Sequence, residues 1–572
     1  MNLSILFKQH YWAVVLACVV GMIMILPHII LLHELGDEYR GYAIAEVDSD
    51  DFYLARISAA YEGDYAITQA TIKSNVKPKP FTSPPLAENF VALVAKILNL
   101  KPEQMVVVGN FLFPALLTLI LYAIAWKLSE SKLLALLTAA VVLISSNILF
   151  DPRQLLSLVS APEGLFANAY LRPIHPQISS LFFYSWFLLF IHWLWQPRTW
   201  LLVVCGVTFG LLFYIYPYSW TLAACILGIL FVISLIQKNS ERAWRLVGIG
   251  IIGFAVSLFY WKNFWELLHH PMYEEMRKRF VILASRKPLW SDLLALDSFA
   301  LLVIFWRKFS NKTILVLGAV ISSLWLLINQ QVISGIRLFP GHWHWYYVVP
   351  ITTLILLLFV KFLTRRFPKI WYLFAVIVLS ITIANGIVSQ STYAKKHLSP
   401  YKEYQRYMLA YEWLNKNIST GSVILSDFEF SKRLPVYTSH FRYAYQSTDE
   451  LYLITREQMK SGYFTTLLFQ GATFDNIGEY IRQDTLALRE ILLGYYRQYA
   501  EDCFQCYSEG ELEQLRKEYV EFYNDDFETR LKQYPVDYVV TDGSKDAIIN
   551  FESMEFLEAI VTVGDFKIYQ VN

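Results

Sequence analysis

A chain of 572 residues with 55% apolar side chains, only 17% charged ones and a positive mean hydropathy is too apolar for an ordinary soluble protein. A formal net charge of +1 gives no electrostatic footprint for nucleic acid. Five cysteines are too few for a disulfide framework, and Cys18, Cys205 and Cys225 lie in apolar runs where a thiol acts as a small hydrophobe.

The first apolar stretch, from about Tyr11, is long enough to span a bilayer and lacks a small-residue cleavage site, so it reads as a retained anchor. An acidic loop follows. Between Glu34 and Asp64 stand nine carboxylates (Glu34, Asp37, Glu38, Glu46, Asp48, Asp50, Asp51, Glu62, Asp64) against two arginines, Arg40 and Arg56. Inside it, Asp50-Asp51-Phe52-Tyr53 runs into ARISAAYEG. That pattern predicts a helix with Asp51 as N-cap, Leu54, Ile57 and Tyr61 on one face, and Gly63 as its end. The loop continues to Pro85, and Ala87–Leu98 reads as an amphipathic helix on the membrane surface.

Taking about 20 apolar residues per span, eleven spans are expected, starting near Tyr11, Met105, Lys132, Ile178, Trp200, Ser219, Ala243, Ser291, Thr313, Trp345 and Pro368. The fifth and sixth are separated only by Tyr216-Pro217-Tyr218, where proline removes a backbone donor, so they could form one kinked unit. Alternate loops carry Lys127 and Lys132; Arg198; Lys238, Arg242 and Arg245; Arg307, Lys308 and Lys312; and Lys361, Arg365, Arg366 and Lys369. The positive-inside rule makes these cytoplasmic, with the N-terminus. The acidic loop and everything after Ser389 then lie outside.

Three further outer loops follow. Asp151–His175 holds Glu163, Arg172 and His175; Lys262–Trp290 has six basic residues and three glutamates; and NQQVISGIRLFPGHWHWYY holds Gln331, Arg337, His342 and His344. From about Tyr401 the composition becomes that of a soluble domain. Tyr401–Asn417, Ile477–Ala500 and Glu511–Gln533 read as helices, while Ser422–Ser426, Val536–Val540 and Phe566–Val571 read as strands. The expected fold is therefore a polytopic α-helical membrane domain, 1–395, with an outer loop at 33–104 and an extracytoplasmic α/β domain at 396–572.

A carboxylate held at a helix start near the membrane could take a proton from an acceptor hydroxyl, and positive charge could stabilise a leaving phosphate. On spacing alone, Asp50 and Asp51 are equally well explained as helix caps in a solvated acidic loop. Arg172, His175, Arg337, His342 and His344 sit at expected outer membrane edges, where each singly could be an interfacial anchor. As a group they fit phosphate binding, with arginine supplying a planar fork of donors. Asp48, Asp50 and Asp51 with Glu163 have the oxygen chemistry for a hard divalent cation such as Mg or Mn, while His342 and His344 lack an evident third ligand. Cys503-Phe-Gln-Cys506 reads as a small local disulfide.

The layout of span, acidic first outer loop, further spans and outer C-terminal domain resembles the GT-C superfamily of membrane glycosyltransferases. The run DDFYLARISAAYEGDY, then SPPLAENF, is similar to the lipid A aminoarabinose transferases and protein O-mannosyltransferases, and Asp51-x-Tyr53 to the Asp-x-Tyr of bacterial oligosaccharyltransferases. The pair here is Asp-Asp where Asp-Glu is commoner; Asp37-Glu38 is a rival because it follows the first span closely; and no WWD-type signature is present. The resemblance implies a multi-pass protein of the bacterial inner membrane that transfers a sugar from a polyprenyl-phosphate donor to an extracytoplasmic acceptor, with inversion. It implies Asp51 as base, with Asp50 and Asp37 behind it. Tyr53, Arg56, Glu163, Arg172, His175, Gln331, Arg337, His342 and His344 are then expected at the substrates. A transporter or flippase would want ionisable groups inside the spans and an inverted repeat. A non-catalytic envelope-assembly protein would bind the donor without turnover.

Overall fold

The computed structural model describes residues 3–43, 48–74, 80–145, 168–279, 283–289, 293–308, 310–443, 453–483, 508–544 and 551–572, with short pieces at 148, 153, 155–156 and 158. They form two compact units. The first is Met1–Gly36, Val106–Trp261 and Ser285–Tyr401; the second is Asp37–Met105, Lys262–Ala284 and Lys402–Asn572. The units do not follow a division at residue 395. The acidic outer loop clusters with the C-terminal residues, and so does the basic segment Lys262–Ala284.

The first unit is helical. Seven described helices are long and apolar enough to cross a membrane: Lys8–Glu38, Pro102–Ser129, Gln177–Trp195, Pro217–Ile236, Asn311–Ile328, Gly341–Leu363 and Pro368–Tyr404. Ser240–Val256 and Leu258–Leu268, bent by 58°, make an eighth if taken as one span. The remaining expected spans fall on shorter helices, Lys132–Ile144, Thr199–Leu212 and Leu293–Phe305. Pro217 stands at the start of its helix with Tyr216 as N-cap, so the fifth and sixth segments are two helices.

Small residues let these helices approach. A Cβ on Gly253 would stand 2.2 Å from the Phe209 ring, and one on Gly206 2.6 Å from Ile252, so Thr199–Leu212 and Ser240–Val256 pack backbone to side chain. The shortness of Lys132–Ile144 has a polar cause. Its last carbonyls have no intrahelical donor and no water in an apolar surround. The Asn168 side chain donates to the Leu143 carbonyl, and the Asn385 amide donates to Ile144 O at 3.3 Å and Ser145 Oγ at 3.2 Å. The helix ends buried and satisfied.

The second unit is built on a five-stranded sheet. Its strands are β1 (Val423–Leu425), β2 (Phe441–Arg442), β3 (Tyr538–Asp542), β4 (Leu557–Val563) and β5 (Phe566–Val571), in the order β2-β1-β3-β5-β4. Strands β2, β1 and β3 run parallel, whereas β5 is antiparallel to both β3 and β4. All three residues of β1 are buried, as expected of an apolar run flanked by parallel neighbours. Val423, Leu425, Tyr443, Val539 and Tyr569 pack with Leu531, Tyr534 and Phe551 in the core. The acidic loop joins the sheet edge: Arg442 N donates to Thr71 O at 2.9 Å, and Ile72 bridges Arg442.

Around the sheet, Asp427 caps the helix Phe428–Tyr437, and Ser508 with Glu511 forms a capping box on Glu509–Asn524. The Tyr401–Asn417 prediction is split, because the long helix ends at Tyr404 and a new one runs Tyr407–Asn417. Of the Ile477–Ala500 prediction, the described residues hold the helix Ile477–Gln483. Cys503 and Cys506 lie outside the described residues.

Candidate functional site

In the second unit the acidic segment is fastened to the C-terminal residues. Its helix runs Asp48–Glu62, four residues earlier than a start at Phe52 after an Asp51 cap, so Asp51 lies inside the first turn and is not the N-cap. Gly63, at φ +107°, ends it as expected. Asp51 is 2% exposed, and Oδ1 meets Arg433 Nε at 2.6 Å, with Lys432 Nζ 4.0 Å from Oδ2. Arg433 also donates to the Ala43 carbonyl and lies over the Tyr42 ring, 4.7 Å from its centroid.

Tyr437 Oη accepts from Ala43 N at 2.8 Å, Ser58 Oγ donates to Val436 O at 2.8 Å, and Gln405 brackets Tyr42 by accepting from its N–H and donating to its carbonyl. Burial pushes the Tyr42 phenol well up, so it stays neutral beside this ion pair. Asp51 is thus a buried, charge-compensated tie between the acidic helix and the Phe428–Tyr437 helix.

Arg56, expected at the substrate, is fully buried elsewhere in the fold. Its Nε meets Glu88 at 2.6 Å, and its other nitrogens donate to Ile67 O at 3.3 Å and Ser83 O at 3.1 Å. It staples Asp48–Glu62 to Leu86–Leu98 through at least three of its five N–H donors, a fold-holding role that the sequence did not indicate. Tyr53 is half-buried, edge-on to Phe52. Asp37 is exposed in the turn Gly36–Glu38, and among the described residues it forms no ion pair, while the neighbouring Glu38 meets Lys402 at 3.1 Å. The side chains of Asp48 and Asp50 lie outside the described residues, as does Glu163.

In the first unit, two of the phosphate-site residues, His175 and His342, come together around a residue noticed in the sequence only as part of a helix break, Tyr216. His175 stacks on its ring at 3.9 Å between centroids, and its hydroxyl bonds His342 Nδ1. Arg172, half-buried, ends the short turn Ala169–Leu171 three residues before His175. Tyr218, Phe339 and Tyr346 complete the aromatic surround, with ring centroids 4.7, 5.2 and 5.7 Å from His342. Just beyond, His344–Val348 is a π-helical turn, a distortion often found where helices carry function.

The remaining predicted residues behave differently. Gln331 is buried and donates to the Lys287 carbonyl at 3.0 Å, a loop-fastening role. Arg337 and His344 are half-buried. A further buried chain that the sequence did not flag joins His28, Asn110 and Gln177: Asn110 meets His28 Nε2 at 3.0 Å, and Gln177 donates to Asn110 Oδ1 at 2.7 Å and Tyr170 O at 2.7 Å.

Among the described residues no group of three His, Cys, Asp or Glu could hold a metal ion. Of the oxygen ligands considered from the sequence, Asp51 pairs with Arg433, while the side chains of Asp48 and Asp50, and Glu163, lie outside the described residues.

The class defined by these features is a polytopic helical protein carrying a helical unit and an α/β unit. No family model matches the chain, and no curated protein matches it. Among solved structures it is similar to ArnT from Cupriavidus metallidurans bound to undecaprenyl phosphate, at 11% identity over 95% of this chain and 97% of that one, with a TM-score of 0.46. It is also similar to the apo oligosaccharyltransferase of Archaeoglobus fulgidus, at 11% identity over 93% and 69%, with a TM-score of 0.42. No residue role is carried over from either.

Proposed function

We propose that the chain is a membrane glycosyltransferase that moves a sugar from a polyprenyl-phosphate donor to an extracytoplasmic acceptor with inversion at the anomeric carbon. The observation that carries this reading is the Arg172–His175–Tyr216–His342 cluster. It brings two imidazoles and a phenol to one point of the helical unit, with Arg172 three residues before His175 in the chain, groups whose chemistry suits a phosphate headgroup. Arg172 and the imidazoles would hold the donor phosphate.

In the step itself, the acceptor oxygen forms a bond to the anomeric carbon as the bond to phosphate breaks. The electron pair leaves on the phosphate oxygen, and the acceptor's proton goes to a carboxylate. The ion pair of Asp51 with Arg433 makes Asp51 a positioning residue, because a base must reach the acceptor and Asp51 is buried. Asp50, the preceding residue of the same anchored helix, takes the role of base. Asp37 is the alternative, favoured by its exposure directly after the first span.

The full-length protein in liposomes, supplied with a panel of radiolabelled polyprenyl-phosphate sugars and a membrane lipid extract, should convert one donor to a product of inverted anomeric configuration. Saturable donor binding without release of polyprenyl phosphate from any donor would select the non-catalytic reading instead.

A further inference from the structure

A second group of cations converges in the helical unit, away from Tyr216. Lys127 lies near the end of Pro102–Ser129, His192 and Trp195 in the last turn of Gln177–Trp195, and Lys312 in the first turn of Asn311–Ile328. Lys127 Nζ donates to His192 Nδ1 at 3.1 Å. The ammonium groups of Lys127 and Lys312 both lie over the Trp195 ring, at 4.8 and 5.7 Å from its centroid. Thr313 Oγ1, donating to Leu128 O at 2.8 Å, ties the third helix to the first at this level. Two features are out of balance here. Among the described residues neither lysine has a carboxylate partner, although like charges gathered around one ring repel. And the Trp195 indole N–H is buried without an acceptor.

Lysines near helix ends ordinarily snorkel to water and need no ligand. Lys127 does not fit that description, being half-buried and turned onto His192 and Trp195. An imidazole that accepts from an ammonium at Nδ1 is neutral and carries its proton on Nε2. The group therefore offers only donors: two ammoniums, an indole N–H and an imidazole N–H. That set matches an anion with several acceptor oxygens, a phosphate above all. The residues belong to the ends of spans that the basic loops mark as cytoplasmic, with Trp195 at interfacial depth.

We propose that Lys127, His192, Trp195 and Lys312 form a binding site for the phosphate of an anionic phospholipid in the cytoplasmic leaflet. The indole face packs on the glycerol region, and the four donors share the phosphate oxygens. The site is independent of the transferase reading and stands or falls without any sugar donor.

The test is native mass spectrometry of the full-length protein in detergent with equal concentrations of phosphatidylglycerol and phosphatidylcholine, and a parallel arm with inorganic phosphate. The wild type should retain phosphatidylglycerol preferentially. Lys127→Gln with Lys312→Gln should lower that preference about thirtyfold, from the usual contribution of a lysine at an anionic surface. Lys127→Arg should retain it, and Trp195→Phe, which removes the indole N–H but keeps an aromatic ring, should lower it severalfold. Equal retention of the two lipids by the wild type overturns the proposal. So does an unchanged preference in the double variant or, should that variant not fold, in Trp195→Phe. Displacement of the lipid by millimolar inorganic phosphate identifies a soluble anion as the ligand and overturns the lipid assignment.

Discussion

The acidic segment of the α/β unit and the aromatic-histidine cluster of the helical unit attracted attention for the same reason, a concentration of polar side chains beside apolar spans. They resolve in opposite ways. Asp51 and Arg56, two residues of the acidic helix that the resemblance puts at the substrates, are each paired with a buried partner at 2.6 Å. His175 and His342, from two distant loops, meet at Tyr216, one by stacking and the other by a hydrogen bond. A charge taken into a fold must be paired, so a buried ionised residue is first a structural question. Aromatic rings that meet at one tyrosine carry no such demand.

The largest effect should come from breaking one of the spent pairs. Arg56→Met leaves Glu88 buried without its cation and should cost about 3–5 kcal/mol. It would appear as a fall in the thermal midpoint of the α/β unit, and Glu88→Leu added to Arg56→Met should recover most of it. If Arg56→Met is neutral in stability, Arg56 is free to serve a ligand and the contrast dissolves. On the other side, Arg172→Ala should weaken polyprenyl-phosphate binding by about 1.5–3 kcal/mol, the usual worth of a hydrogen bond to a charged group. The melting temperature should not change, and titration with the free polyprenyl phosphate would show it.

Gly253→Ala probes the helical unit's packing away from either region. A methyl 2.2 Å from the Phe209 ring forces a shift and should cost about 1–3 kcal/mol, measured by unfolding in detergent. The smallest effect concerns pH. Burial alone would raise the Asp542 carboxyl, but hydrogen bonds from Arg406 and Ser544 hold it below its ordinary value. A carboxylate depressed in the folded state contributes stability above its unfolded pKa, near 3.9, and loses it as pH falls through the folded value. The α/β unit should therefore soften in acid below about pH 4, and Arg406→Met should flatten that part of its stability profile.

Much of this was legible in the sequence, and for identifiable reasons. Span starts followed from uninterrupted apolar runs, and every expected start among the described residues falls within a helix, Ser291 lying outside them. What was not legible is which helices would be short, since the stop at Ile144 depends on Asn168 and Asn385 reaching it from distant chain positions. Strands β1 and β3 were readable as short runs rich in apolar β-branched residues, and β5 by its mixture of buried apolar residues with exposed Lys567 and Gln570. Strand β2 is two residues long, and β4, although Ile560–Val563 are β-branched, is an edge strand with most of its side chains exposed, without a clear apolar-polar alternation.

At the site, the sequence supplied the right residue types but not their partners. Arg433, 382 positions from Asp51 by subtraction of residue numbers, carries no local signal of its role. Tyr216 was visible only as a neighbour of Pro217, and its contacts with His175 and His342 are tertiary.

The central claim is that a carboxylate of the acidic segment other than the buried Asp51 takes the acceptor's proton. Sugar transfer by Asp37→Asn, Asp50→Asn and Asp51→Asn, measured side by side in liposomes at equal protein, tests it directly. Asp50→Asn should lose activity by about 10²–10⁴-fold while melting like the wild type, whereas Asp51→Asn should melt lower and keep measurable turnover. Loss of turnover in Asp51→Asn with unchanged melting, together with full activity in both Asp37→Asn and Asp50→Asn, would contradict it.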